Sequence, residues 1–172
     1  MAVSRSRRSA SGVAFAIAGA IILLMLVLSL ANVLIGWIPG LAYLALAAGF
    51  GILGFGAVNG TVAKVTSIAS AVGWVALALG EFGLPLPGSL VILAGWMAGV
   101  CGLLAAVVVY VGKELRNTPA LVFIASTALF LLSILGGAEV FPDVITTVIA
   151  VLIGLGLIVT GLLFIRPERS PA

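Results

Sequence analysis

Few residues in this sequence have side chains that could do chemistry: a handful of carboxylates, one thiol and scattered hydroxyls. The 172 residues include five Asp and Glu, one Cys and no His. Without histidine, the sequence lacks the commonest general base, metal ligand and haem ligand. Cys101 has no charged neighbours in the sequence to stabilise a thiolate, so we interpret it as a small packing residue. We therefore expect no catalytic residue, no metal and no cofactor.

Glu81 is the carboxylate most open to a functional interpretation. It ends a long apolar stretch, shortly before a turn that contains Pro85 and Pro87. A carboxylate just inside a membrane interface could bind a proton or a cation. A charge at a helix centre costs about 2.5–3.5 kcal/mol, so the chain would more easily lift Glu81 to the headgroups. The alternative interpretation is therefore a solvated loop acid.

Two further carboxylates, Glu139 and Asp143, lie on either side of Pro142. Paired carboxylates can bind a cation. Asp143 directly follows the proline at a predicted helix start, where a negative charge meets the positive end of the helix dipole. The pattern favours helix capping, and a weak outer cation contact stays an alternative.

Polar residues inside the apolar stretches define a second hypothesis. Such side chains usually bond backbone carbonyls or a neighbouring helix. They could instead line a path for a proton, a cation or a small solute. The candidate path residues are Glu81, Asn32, Ser126 and Ser133.

Glycines recur in the apolar stretches. Residues 49–54 match G-x-G-x-x-G, but a dinucleotide site needs a preceding strand, and this motif lies inside an apolar run. Small residues let neighbouring helices approach closely in lipid. We expect the second, fourth and sixth helices to form an inner layer. The predicted packing glycines are Gly51, Gly95, Gly99, Gly102 and Gly154.

Composition places the chain in a membrane. Hydrophobic residues make up 63% and charged residues 8%, with a mean hydropathy of +1.41, whereas a soluble domain carries about a quarter charged residues. We predict an all-α protein with a basic tail over residues 1–11, a transmembrane domain over 12–166 and a short tail over 167–172. The predicted helices span residues 12–36, 40–63, 65–84, 88–112, 119–137 and 143–165.

The cations lie in four short islands. All eight Lys and Arg fall in the two tails and the two even-numbered loops, and the three proline-containing turns hold only acids. Basic loops stay in the cytoplasm, which predicts six spans with both termini cytoplasmic, in the inner membrane of a bacterium. Trp37 and Tyr43 would lie at the outer interface. The first apolar run, 12–35, is too long for a signal peptide of about 7–15 apolar residues.

The spans form three hairpins with a weak internal repeat. A glycine follows Pro39, Pro87 and Pro142 at the same distance of twelve positions. The first hairpin reads LLMLVLSLANVLIGWIPGLAYLALAAGFGILGFGAVNG and the third reads TALFLLSILGGAEVFPDVITTVIAVLIGLGLIVTGLLFIRP. A helix, a proline turn and a glycine-studded helix resemble the HdeD-like acid-resistance membrane protein family. The resemblance implies six spans and a stress-related role, with no catalytic residue to carry over.

Taken together, the patterns predict a non-catalytic membrane protein. The expected role is an accessory or scaffolding subunit of a larger membrane complex, or a self-associating stress-related protein. The expected partners are membrane lipids and either other membrane subunits or further copies of the chain. Nucleic acid is not expected, because the net charge of +3 comes from loops and tails. The alternative is a small transporter or channel.

Overall fold

The structure, a computed structural model, describes residues 5–33, 36–112, 117–140 and 143–165. In these ranges the backbone forms six α-helices and no β-strand, which confirms the predicted all-α class. The helices are α1 (Arg5–Leu30), α2 (Ile38–Ile52), α3 (Thr61–Glu81), α4 (Gly88–Val111), α5 (Asn117–Val140) and α6 (Asp143–Ile165), and a π-helical segment, Leu53–Ala57, continues α2.

The six helices form a closed ring. Each helix packs mainly against its neighbours in the chain, and α1 and α6 form the most extensive pair, which closes the ring. The predicted inner layer of the second, fourth and sixth helices is therefore wrong. Glycines and alanines are spread over all three hairpins, so each helix can approach two neighbours closely and none has to occupy a centre.

Glycines account for the close approach of α1 and α6. A Cβ on Gly12 would lie 2.6 Å from the carbonyl oxygen of Gly161, and a Cβ on Gly19 would lie 2.5 Å from that of Gly154. The two pairs run in opposite directions along the helices, as expected of an antiparallel contact. At Gly12, Gly19 and Gly161 only glycine fits without moving a backbone, whereas a Cβ on Gly154 would first meet the Leu23 side chain.

Small residues and serine hydroxyls join the other helix pairs. A Cβ on Gly73 of α3 would lie 2.6 Å from the amide nitrogen of Ala98 in α4. Ser70 Oγ donates to the Ala98 carbonyl oxygen at 2.9 Å, and Ser11 Oγ donates to the Gly49 carbonyl oxygen at 2.9 Å. These bonds satisfy buried hydroxyls and connect α3 to α4 and α1 to α2.

Helix ends differ from the sequence prediction in the first hairpin. α1 begins at Arg5 instead of residue 12, because the basic segment contains no helix-breaking residue. It ends at Leu30, and Asn32 adopts the left-handed conformation with φ 57°, which asparagine tolerates better than most residues. The second helix reaches only Ala57, because its last turn widens into the π-helical segment and Val58 is extended.

The outer surface of the ring is apolar. Large hydrophobic side chains are exposed on every helix for which side chains are described. Among the described residues, five helices are long and apolar enough to span a bilayer, and the apolar part of α5 covers Thr118–Ser133. A surface of this kind is unstable in water and stable in lipid, so the chain is a helical membrane protein.

Candidate binding cavity

Charges separate to the two ends of the ring. Arg7 and Arg8 lie near the start of α1, and Lys64 lies in the first turn of α3 beside Gly54. We call this the cationic end. Arg7 Nη1 donates to the Phe55 carbonyl oxygen at 3.4 Å.

Glu81 is the last residue of α3 and lies exposed at the opposite end of the ring. Among described side chains it is the one carboxylate. The side chains of Glu139 and Asp143 lie outside the described residues, although both belong to helix ends that face the same way as the end of α3.

The four predicted path residues do not come together. Asn32 is exposed in the turn after α1, and Glu81 is exposed at the end of α3. Ser126 is buried against Gly156 of α6, and its Oγ donates to the Val122 carbonyl oxygen at 2.9 Å. Ser133 lines a cavity, and its Oγ donates to the Phe130 carbonyl oxygen at 2.7 Å. Of the four, only Ser133 lines a described cavity.

The predicted packing glycines have different surroundings. Cβ atoms on Gly102 and Gly154 would meet Phe50 at 3.1 Å and Leu23 at 2.7 Å, respectively. Gly51 has more room, with Ala71 Cβ at 3.9 Å. Gly95 and Gly99 are buried in α4, and Gly95 lines the same cavity as Ser133.

Four phenylalanines fill the ring toward the cationic end. Phe15, Phe50, Phe123 and Phe164 come from four different helices and are fully buried. Phe15 lies 5.2 Å from both Phe50 and Phe123 between ring centroids, and Phe123 lies 5.7 Å from Phe164. The Arg8 guanidinium lies 5.8 Å from the Phe164 ring centroid. We call these four rings the phenylalanine cluster. They close the interior of the ring on this side with tightly packed aromatic contacts.

Toward the Glu81 end, the interior widens into a cavity of about 440 Å³. Four aromatic side chains from α2, α3, α4 and α5 line it, together with aliphatic residues, Gly95 and Ser133. The centroids of Tyr43 and Trp74 are 5.4 Å apart, and those of Trp74 and Phe130 are 5.1 Å apart. We call this space the aromatic cavity; its aromatic residues are Tyr43, Trp74, Trp96 and Phe130.

The aromatic cavity reaches the surface of the ring. Ile92 and Trp96 line it and are also 65% and 44% exposed on α4. Trp74, in contrast, is only 3% exposed, and its Nε1 has no hydrogen-bond partner in the described part of the chain. The cavity is thus deep at Trp74 and accessible at α4.

Between the aromatic cavity and the phenylalanine cluster lie the fully buried side chains of Leu46, Ala98 and Leu157. A void of about 10 Å³ lies beside them, with Phe50, Trp74, Phe130 and Leu157 among its walls. A volume this small holds at most one water molecule. The lining of the cavity reaches Trp74 and Phe130 and includes none of the four rings of the phenylalanine cluster.

The side chains that line the aromatic cavity can bind a ligand through apolar contacts, aromatic rings and hydrogen bonds. Its polar groups are hydroxyls and indole N–H groups. In the described ranges, no three Cys, Asp or Glu side chains come together to hold a metal ion. A cavity of this size falls in the range of small-molecule sites, which is about 300–1,000 Å³.

Sequence reasoning missed the aromatic residues of this cavity. Tyr43 was expected at the interface, but its ring packs beside Trp74. The available signal was Trp74 itself, which lies well inside the third apolar stretch, whereas membrane tryptophans concentrate at the interfaces. Comparison of the chain with family models, curated proteins and solved structures finds no match.

Proposed function

We propose that this chain is a non-catalytic membrane protein that acts through its packing surfaces. It serves as an accessory or scaffolding subunit of a larger membrane complex, or as a self-associating stress-related protein. The observation that supports this function is the phenylalanine cluster. Four buried rings seal the interior next to the cationic end, which suits a rigid packing unit better than a conduit.

The test is the mass of the protein extracted gently from its native membrane. In mild detergent, the chain should elute with other subunits or as an oligomer, and the co-purifying chains identify the complex. Monomeric membrane proteins of known mass in the same detergent calibrate the measurement. Recovery as a monodisperse monomer at every detergent concentration would contradict the proposed function.

The second candidate is a transporter or channel for a proton, a cation or a small solute. The aromatic cavity is the observation that favours it, because it offers a binding chamber with Glu81 nearby. Its weakness is the packing around Phe50 and Phe123, which would have to separate for a solute to pass. Glu81→Gln protein in liposomes should match the unsubstituted protein if packing is the function. If the unsubstituted protein carries a flux of a proton, a cation or a small solute into the liposomes and the Glu81→Gln variant does not, transport is the function instead.

We also propose that the chain resides in the cytoplasmic membrane and that both of its termini lie in the cytoplasm. Support comes from the charge separation, since Arg7, Arg8 and Lys64 share one end of the ring. Basic residues next to membrane spans remain on the cytoplasmic side.

A further inference from the structure

We infer that the aromatic cavity is a binding site for a lipophilic organic cation, with a quaternary ammonium group as its recognition element. Nothing in the packing function requires this cavity. Its lining and its electrical surroundings both select for positive charge.

The lining supplies aromatic rings in place of charged ligands. Four aromatic side chains from four helices surround one space, and two ring pairs lie within 5.4 Å. Aromatic rings carry negative electrostatic potential on their faces, and clusters of rings bind quaternary ammonium groups through this potential. Such a group needs no hydrogen-bond acceptor, which suits a cavity whose remaining walls are mainly aliphatic.

The charges of the molecule favour the same ligand. The cations whose side chains are described, Arg7, Arg8 and Lys64, all belong to the cationic end, beyond the phenylalanine cluster. Glu81 ends α3 on the cavity side of the ring, next to Phe82. The Phe82 ring would lie 2.8 Å from a Cβ on Gly40, three residues before Tyr43 in α2. An organic cation in the cavity would therefore lie in the half of the ring that holds Glu81, away from Arg7, Arg8 and Lys64.

Access and depth define how the ligand would bind. Ile92 and Trp96 connect the cavity to the apolar surface of α4, so a ligand dissolved in the bilayer could enter from the side. The buried side chains of Leu46 and Leu157 line the small void beyond the cavity. The ligand would therefore bind in the half of the ring that holds Glu81.

The test compares two ligands of the same shape and different charge. The full chain in maltoside micelles, whose headgroups are neutral, is dialysed against benzyltrimethylammonium or against its uncharged isostere neopentylbenzene. Matched empty micelles correct for partitioning. The ammonium compound should bind about tenfold more tightly, as expected of a cation desolvated among aromatic rings.

Substitutions of lining residues show whether the ligand binds in the aromatic cavity. A control substitution outside the lining separates loss of the site from a general folding defect. Trp96→Leu and Phe130→Leu should each weaken binding of the cation about threefold to tenfold and leave the isostere unchanged. The matched control is Trp37→Leu, because Trp37 is exposed and lies outside the cavity lining. Glu81→Gln should weaken binding of the cation and leave binding of the uncharged isostere unchanged.

Three results would overturn the inference. The first is equal affinity for the two ligands. The second is an equal loss of affinity for the cation from Trp37→Leu and Trp96→Leu. The third is undiminished cation binding when Ser133→Phe fills the cavity. Added phosphatidylcholine identifies the source of the ligand. Competition indicates a lipid headgroup, and binding without competition indicates a free cation. None of these results depends on the oligomeric mass that tests the proposed function.

Discussion

At the scale of single residues, glycine determines which helices can touch in this protein. In water, helix association gains from the hydrophobic effect, but in lipid that gain is largely absent and close packing takes its place. Gly12 and Gly19 of α1 meet Gly161 and Gly154 of α6 at distances that exclude a Cβ atom. Gly154 could be predicted from the sequence, but Gly12, Gly19 and Gly161 could not, because the pairing depends on which helices become neighbours.

Gly19→Ala should separate α1 from α6. Its Cβ would meet the Gly154 carbonyl oxygen at 2.5 Å, so one backbone must move, at a cost of about 1–3 kcal/mol. Reversible unfolding in mixed detergent micelles measures the change. Gly88→Ala is the matched control, because nothing lies within 4 Å of that position, and it should change stability by less than about 0.5 kcal/mol. Equal effects of the two substitutions would contradict this account of the α1–α6 contact.

At the scale of helices, hydroxyl groups add specificity to contacts that small residues permit. Ser70 Oγ bonds a carbonyl of the next helix, whereas Ser133 Oγ bonds a carbonyl of its own helix. Both hydroxyls are satisfied, but only the first one joins two helices.

Ser70→Ala should therefore weaken the α3–α4 pair, and Ser133→Ala should not weaken any pair. Interhelical hydrogen bonds in membranes contribute about 0.6 kcal/mol on average and at most about 1.7 kcal/mol. The same unfolding measurement in mixed micelles checks the difference between the two variants. A larger loss from Ser133→Ala than from Ser70→Ala would show that the interhelical bond is not the source of stability.

Sequence patterns predicted the helices better than they predicted their neighbours. Long apolar runs must become helices in lipid, since every backbone polar group needs an internal partner, and the all-α class follows from residues 12–165 alone. The π-helical end of α2 and the closure of the ring by α1 and α6 depend on contacts between distant residues. The same limit applies to the aromatic cavity, because Tyr43, Trp74 and Phe130 are far apart in the chain and no local spacing brings them together.

At the scale of the whole molecule, the distribution of charge predicts orientation. In cells, a Ser170→Cys variant on a Cys101→Ala background should react with a membrane-impermeant maleimide only after permeabilisation, because the basic end stays in the cytoplasm. Gly36→Cys is the control, since it belongs to the turn between α1 and α2, at the opposite end, with nothing within 4 Å. It should react in intact cells. Labelling of Ser170→Cys before permeabilisation would show that the orientation is the opposite of the one predicted.

The α1–α6 contact has one more consequence, for the order of the chain itself. Arg8 lies beside Phe164, so the start of α1 and the end of α6 meet at one point of the ring. A circular permutant that joins the end of α6 to the start of α1 with a flexible linker and begins at Gly60 would keep every helix pair and leave both new ends at the cationic end. Because exposed connections tolerate such rearrangement, we expect it to insert and to unfold at a detergent concentration close to that of the natural order. The ring would then be a property of the set of helices, whichever of them is made first.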